Sequence, residues 1–234
     1  MSTCPKVIYL PAIMILTVTV DVGHGTGESL ILLLTHPSVP RPVHLTGITS
    51  IPLHHQRSLQ RVKRITRSSY TPISLHVGDA VYKQDVSPAD HPFHPSSLAR
   101  FDNILALDCA YHFQTREEFL RQSFHQLERG GRIALADICF STAPPMNWKD
   151  RLIRKLLILM PKENAISIDE YVDCLEAIGY DDVKVEDVSE DVFPGFVNFL
   201  KPRGFGWWIF GSVLYSYYTA GARFVIVSGS RCKE

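Results

Sequence analysis

Short apolar runs alternate along this chain with segments whose apolar residues recur at helical spacing, the pattern of buried strands joined by amphipathic helices. The β-branched run ending at Asp21 predicts a first strand, with Pro11 marking its start, and residues 28–35 predict a helix stopped at Pro37. Residues 43–48 read as a second strand. Residues 54–66 read as a helix with Leu59, Val62 and Ile65 facing inward and basic residues outward, and residues 73–77 as a third strand closed by Gly78-Asp79. Pro88, Pro92 and Pro95, with His91 and His94 between them, predict an irregular surface loop. Residues 101–107 form a fourth strand. A capping-box pattern, Thr115 with Glu118, then opens a helix carrying Phe119, Leu120, Phe124 and Leu127 that ends at Gly130-Gly131. Residues 133–140 make the fifth strand, with Asp137 near its carboxyl end.

Beyond Pro144-Pro145 the character changes. Residues 147–160 contain WKDRLIRKLLIL, an amphipathic helix with basic residues on one side and leucines on the other. Ser167 and Glu170 make a second capping box, opening a helix to Ile178 that Gly179 terminates, and residues 183–188 read as a strand. Residues 195–200 and 204–218 are rich in aromatic side chains, and residues 222–228 make the last strand. No internal repeat is visible. Strands and helices alternating at this size predict βαβ units around a parallel sheet. The expected organisation is one domain over 1–234, with a ligand-binding core at 12–140 and a C-terminal part at 141–234 bearing substrate-side helices and the last two strands.

The stretch with the most chemistry is D-V-G-H-G-T-G, Asp21 to Gly27. A strand running into a glycine turn and a helix places backbone N–H groups at the carboxyl edge of the sheet, where open α/β folds bind ligands. The spacing argues against a dinucleotide fingerprint, because Glu28 stands where the third glycine of G-x-G-x-x-G belongs. It also lacks the Lys-Ser or Lys-Thr of a phosphate loop.

Composition narrows the classes. With 234 residues and 45% apolar content, one sizeable core is expected, and 24 basic against 24 acidic residues give no electrostatic case for nucleic acid. The basic run from Arg57 to Arg67 reads as a solvated helix face, with a phospholipid or nucleic-acid contact as its alternative. Five isolated cysteines give neither a disulfide framework nor a zinc site and suit a reducing, cytoplasmic compartment. The two histidines of the proline-rich loop lack a third ligand, so no metal is expected. The apolar stretch before Asp21 has the length of a short signal peptide, but it runs directly into the glycine loop. The apolar stretch from Trp207 to Val227 is interrupted by Gly211, Gly221 and Arg223. It reads as a helix and a strand rather than a membrane span, leaving surface attachment to a membrane open.

The D-x-G-x-G-x-G loop resembles the nucleoside-binding loop of class I S-adenosylmethionine-dependent methyltransferases. The segment FDNILALDCAYHFQTREEFLRQSFHQLERGGRIALADI, residues 101–138, resembles that family's fourth and fifth strand region. Residues from YVDCLEAIGYDDVKVEDVS to ARFVIVSG resemble its sixth and seventh strands. The LTGITS form of the second strand is similar to the small-molecule branch of the family, the tocopherol- and sterol-methyltransferase-like group. The resemblance implies a Rossmann-like α/β sheet of seven strands, ordered 3-2-1-4-5-7-6 with strand 7 antiparallel, flanked by helices. It also implies a lid reduced at the N-terminus, because few residues precede Asp21.

The same resemblance implies S-adenosylmethionine as cofactor and assigns candidate roles. Gly23, Gly25 and Gly27 would let the backbone approach the cofactor, Asp21 would orient its amino group, and Asp79 with Ala80 would meet the adenine. Where relatives carry an acidic residue for the ribose, this chain offers Thr49 and Ser50. Leu107 and Asp108 would face the methionine end, Asp108 as a positioning group more than a base. His112 is the candidate general base, with a role as a wall residue or a partner of the cofactor carboxylate as its alternative. Tyr111, Phe113, Phe196 and Trp207 are candidate substrate contacts or, equally, packing residues. The acidic run Glu186, Asp187, Glu190 and Asp191 reads as a solvated loop, or as a mouth favouring a cationic amine. The implied reaction is methyl transfer to an O, N or C atom of a small lipophilic or aromatic metabolite. Its alternative is a weakly active or inactive partner protein of the same fold, and a nicotinamide oxidoreductase stands further off.

Overall fold

The computed structural model describes residues 17–65, 71–141 and 160–232. Its elements are β1 (Val18–Val22), α1 (Glu28–Thr35), β2 (His44–Thr49), α2 (Pro52–Ile65), β3 (Ile73–Val77) and β4 (Phe101–Leu107). There follow a 3-10 turn (Ala110–His112), α3 (Arg116–Gln126), β5 (Leu127–Phe140) and α4 (Ile168–Ile178). The last are β6 (Asp181–Asp187), α5 (Ser189–Leu200), α6 (Phe205–Thr219) and β7 (Ala222–Ser230). The expected helix at 147–160 and the N-terminal lid lie outside the described residues.

All seven strands join one sheet of order β3-β2-β1-β4-β5-β7-β6. Strands β1 to β5 are mutually parallel where they pair, and β7 runs antiparallel to both β5 and β6. This is the expected order and the expected direction of the seventh strand. Central β1 pairs on both sides, Asp21 lying across from Gly47 of β2 and Leu105 of β4. A strand so enclosed is expected to be apolar on both faces; Val18, Val20 and Val22 make one face so, while the other carries the buried Thr19 and Asp21. Leu30, Leu33, Leu34 and Val62 from α1 and α2 pack with Leu45 and Leu105 in one apolar cluster. Phe119, Leu120, Tyr171 and Leu175 from α3 and α4 pack with strand residues in another.

Both expected N-caps act, the first as half of a capping box and the second as a full one. Thr115 accepts from the backbone of Glu118, and Ser167 and Glu170 cap each other reciprocally. Gly179, at a positive φ of 113°, ends α4.

Several boundaries differ. The helix α3 stops at Gln126, and Leu127 opens β5, which passes straight through Gly130-Gly131. Gly131 is needed there because an added Cβ would lie 2.9 Å from the carbonyl of Glu128 and 3.0 Å from that of Phe101. Glu186 and Asp187 belong to β6, while Glu190 and Asp191 occupy the first turn of α5, so the acidic run is not a loop. The proline-rich loop is not a surface loop throughout, since His91 and Phe93 are buried. Phe93 packs edge-on to Phe101 and Phe119, with ring centroids 6.3 and 5.9 Å apart, drawing the loop into the core. Among the described residues, no helix is long and apolar enough to cross a membrane, and no group of His, Cys, Asp and Glu is arranged to hold a metal.

Candidate functional site

The carboxyl ends of β1, β2, β3 and β4 share one edge of the sheet, and the residues singled out between Asp21 and Phe113 follow those ends. Asp21 is fully buried near the end of β1, and neither carboxylate oxygen has a hydrogen-bond partner. Burial pushes its carboxyl up to about 7, opposed only in part by the nearby Ser29 hydroxyl. A buried ionisable group without a partner, at the carboxyl edge of an open α/β sheet, marks a candidate ligand site.

The three loop glycines are not equivalent. A Cβ on Gly23 would lie 2.5 Å from the Cys109 sulfur, and one on Gly27 would lie 3.0 Å from the Cβ of Ser58. The side-chain directions of these two are thus closed by β4's exit and by α2. Gly25, at a φ of 53°, has nothing within 4 Å. Of the three glycines, Gly25 alone is open on the side that a Cβ would occupy. Arg61 of α2 secures this loop, donating to the Thr26 carbonyl at 3.2 Å and pairing with Glu28 at 2.7 Å. Arg57, Gln60, Arg61 and Arg64 line a shallow cleft of about 270 Å³ beside Thr26, so among the described residues of the run Arg61 is structural while Arg57, Lys63 and Arg64 are exposed.

His24 turns inward. A Cβ on Gly47 would lie 2.8 Å from its imidazole and 2.6 Å from Leu75, so the glycine in LTGITS makes room for a ring packed on β2. The His24 Nδ1 donates to the Gly25 carbonyl at 3.1 Å, and burial lowers its pKa to about 4, keeping the ring neutral. Thr49 is buried at the end of β2 and its carbonyl accepts from Gly78, while Ser50 is exposed.

At the end of β3, Asp79 is exposed, and its Oδ1 accepts from the backbone of Val81 at 3.2 Å; Ala80 is buried. Behind this turn stands His91. Its Nδ1 accepts from the Phe93 N–H at 3.1 Å, so Nε2 carries the proton and donates to the Asp79 carbonyl at 2.9 Å. Burial lowers its pKa, which preserves the neutral ring that this pair of bonds requires. Sequence reasoning placed this histidine on the surface; its one visible signal was the aromatic Phe93 two residues on.

Beyond β4, Leu107 and Asp108 are exposed, Asp108 holding a positive φ of 56°. Its carboxylate accepts from the Tyr111 hydroxyl at 3.0 Å, and burial followed by this negative neighbour drives the phenol's pKa above its usual range. His112 is exposed at the end of the 3-10 turn, its ring 4.2 Å from that of Tyr111, and Phe113 packs against Phe119. Phe196 and Trp207 lie farther along on α5 and α6, half exposed, with their ring partners Phe199 and Phe210 on the same hairpin.

A buried network that the sequence did not reveal holds the 110–113 turn in place. Arg116 donates to Asp137 at 2.8 Å, to the Ile138 carbonyl at 3.0 Å and to the Asn164 carbonyl at 2.6 Å. Tyr171 donates to the same Asp137 oxygen at 2.8 Å. Asn164 in turn donates to the carbonyls of Tyr111 and Phe113 at 3.0 and 2.8 Å. An ion pair buried this deeply is tolerable only when its remaining hydrogen-bonding groups are satisfied, as they are here.

No protein-family profile matches the chain. It is 26% identical over 186 residues to erythromycin 3''-O-methyltransferase of Saccharopolyspora erythraea, covering 76% of this chain and 55% of that protein. It is 28% identical over 182 residues to 27-O-demethylrifamycin SV methyltransferase of Amycolatopsis mediterranei, covering 76% and 59%. Tocopherol O-methyltransferase of Arabidopsis thaliana is 24% identical, covering 75% and 47%. The chain thus spans about half the length of the relatives it matches. In fold it is similar to geranyl diphosphate methyltransferase solved with S-adenosylmethionine, at a TM-score of 0.67 and 13% identity over 95% of this chain and 81% of that one. The 4+2 cyclase SpnF is equally near, at a TM-score of 0.69 and 16% identity over 95% and 78% of the two chains. The same architecture therefore houses more than one chemistry.

Proposed function

We propose that this chain, a member of the class I S-adenosylmethionine-dependent methyltransferase family, transfers a methyl group to a hydroxyl of a bulky lipophilic metabolite. The observation that carries the reading is the buried, unpartnered Asp21 carboxylate on the strand that runs into the Gly23-to-Gly27 loop. An amino-acid ammonium supplies both the charge and the donors that Asp21 lacks, so the residues present fit the cofactor's methionine end. When bound, S-adenosylmethionine supplies an electrophilic methyl on a sulfonium sulfur. Asp79 would accept from the adenine amino group, on a turn held by His91. Thr49 and Ser50 would meet the ribose with neutral hydroxyls, and Leu107 and Asp108 would border the methyl donor.

His112 would take the acceptor's hydroxyl proton as the new O–C bond forms. It stands at the exposed rim of a turn whose carbonyls Asn164 fixes, which suits a base that must meet substrate from solvent. Tyr111 and Phe113 would wall the acceptor. The assignment to oxygen follows the relatives, each named for O-methylation. Two readings test it. The purified chain is titrated calorimetrically with S-adenosylmethionine and S-adenosylhomocysteine, and labelled methyl transfer is then measured against a panel of hydroxylated macrolides and prenylated phenols. Saturable cofactor binding with transfer to at least one acceptor supports the proposal. A folded, monodisperse chain that binds neither cofactor form overturns it.

A further inference from the structure

The helical hairpin α5–α6 leaves the carboxyl end of β6 and returns into β7, whose first residue Ala222 lies beside Phe140 at the carboxyl end of β5. It therefore stands on the same edge of the sheet as the candidate site. Its base is anchored, with Phe193, Tyr217 and Ala222 packing against Ile138 and Phe140. Farther out the two helices have a small core of their own, Val197, Leu200 and Leu214. Beyond that, no core cluster among the described residues takes in the apolar side chains of the tip. Every residue from Pro202 to Phe210 is exposed, including Phe205 at 77% and Trp207 and Trp208 at 51% each, with Phe199 beside them at 53%.

A solvated helix end that is apolar on all sides costs free energy unless something removes it from water. Charge identifies the occupant. No acidic residue occurs between Asp191 and Glu234, and the hairpin tip carries Lys201 and Arg203. Arg203 stacks 3.3 Å from the Phe199 ring and Lys201 leans toward Tyr215, so both cations sit amid the aromatic patch. The acids Glu190 and Asp191 are confined to the start of α5, roughly 14 Å back along its axis from Leu200. Paired tryptophans and phenylalanines ringed by cations and free of carboxylates match the headgroup layer of an anionic bilayer. We infer that the tip of this hairpin docks the protein on an anionic lipid surface, setting the rim of the candidate site against the bilayer. A lipophilic acceptor could then enter without crossing bulk water; the docking itself does not depend on which reaction the site performs.

The test uses the full chain in vesicle flotation, with phosphatidylcholine alone and with phosphatidylcholine carrying about a third phosphatidylserine. Docking predicts flotation with the anionic vesicles that weakens as salt rises, and quenching of tryptophan emission by brominated acyl chains. The double variant Trp207→Ala/Trp208→Ala should bind at least about tenfold more weakly, since each indole removes a large apolar area from water on docking. The variant Lys201→Glu/Arg203→Glu should lose at least about 25-fold, about fivefold for each cation. Trp207, Trp208 and Arg203 are exposed and Lys201 is half-buried, and circular dichroism checks that each variant remains folded. Failure of the wild-type chain to float with anionic vesicles, or flotation unchanged in both variants, overturns the inference. So does a stable dimer that shields the two tryptophans, which would assign the patch to a second copy of the chain.

Discussion

Replacing Asp21 by Asn removes a charge that the empty fold does not accommodate and that the proposed ligand requires, so stability and binding should move in opposite directions. The folded carboxyl is raised from 3.8 to about 7 by burial. The folded state then holds its proton where the unfolded chain has released it, and stability falls as pH rises from about 4 to about 7. Above that window the ionised carboxylate costs roughly 4 kcal/mol, three pKa units at about 1.4 each. Below pH 4 the cost vanishes. A buried amide without partners returns about 1–3 kcal/mol of this. The ligand-free variant should therefore be about 1–3 kcal/mol more stable at pH 8, a rise in Tm of about 2–12 °C for a chain of this size. Its advantage should disappear at pH 4. Binding should change the other way. The wild type should bind S-adenosylhomocysteine about tenfold more tightly at pH 8 than at pH 6, as the ionised fraction of Asp21 rises from about a tenth to about nine tenths. The variant should bind weakly at both. Differential scanning fluorimetry and calorimetric titration across pH 5–8 read both effects. A variant that melts lower at pH 8 and keeps its affinity would refute the assignment of Asp21 as the cofactor's anionic partner.

Further substitutions separate ligand contact from packing. Gly25→Ala should cost about 1–2 kcal/mol for its left-handed backbone and abolish cofactor binding, whereas Gly23→Ala should destabilise more, having to displace Cys109; denaturant melts beside calorimetry distinguish the two. Asp137→Ala strands the buried Arg116 and should cost about 3–5 kcal/mol in urea unfolding. His91→Phe keeps the ring but breaks both hydrogen bonds of the Asp79 turn; cofactor affinity should fall several-fold while methyl transfer at saturating cofactor changes little, a split read from initial rates. His112→Ala, at an exposed position, should leave Tm and cofactor affinity unchanged and lower turnover on hydroxyl acceptors by about 10²-fold, read from initial rates beside melting curves and calorimetric titration.

Much of this protein is legible in its sequence because local physics decides it. The apolar run into Asp21, the glycines at 23, 25 and 27 and the capping residues Thr115 and Ser167 each act on their own neighbours, and the strands and helices form where those signals stand. What the glycines are for was decided only by the partners brought against them. Cys109 closes Gly23 and Ser58 closes Gly27, from positions 86 and 31 residues away along the chain, and Gly25 is left open because nothing packs there. His91 reads as a surface residue in a run of prolines until Phe93 finds Phe101 and Phe119 and pulls it beneath Asp79. The Arg116, Asp137, Tyr171 and Asn164 network joins residues up to 55 positions apart, and no single segment carries a trace of it. The aromatic residues from Phe205 to Phe210 show the converse. Their composition implies burial, yet burial depends on what lies opposite, and the fold places them at the unsupported end of a hairpin.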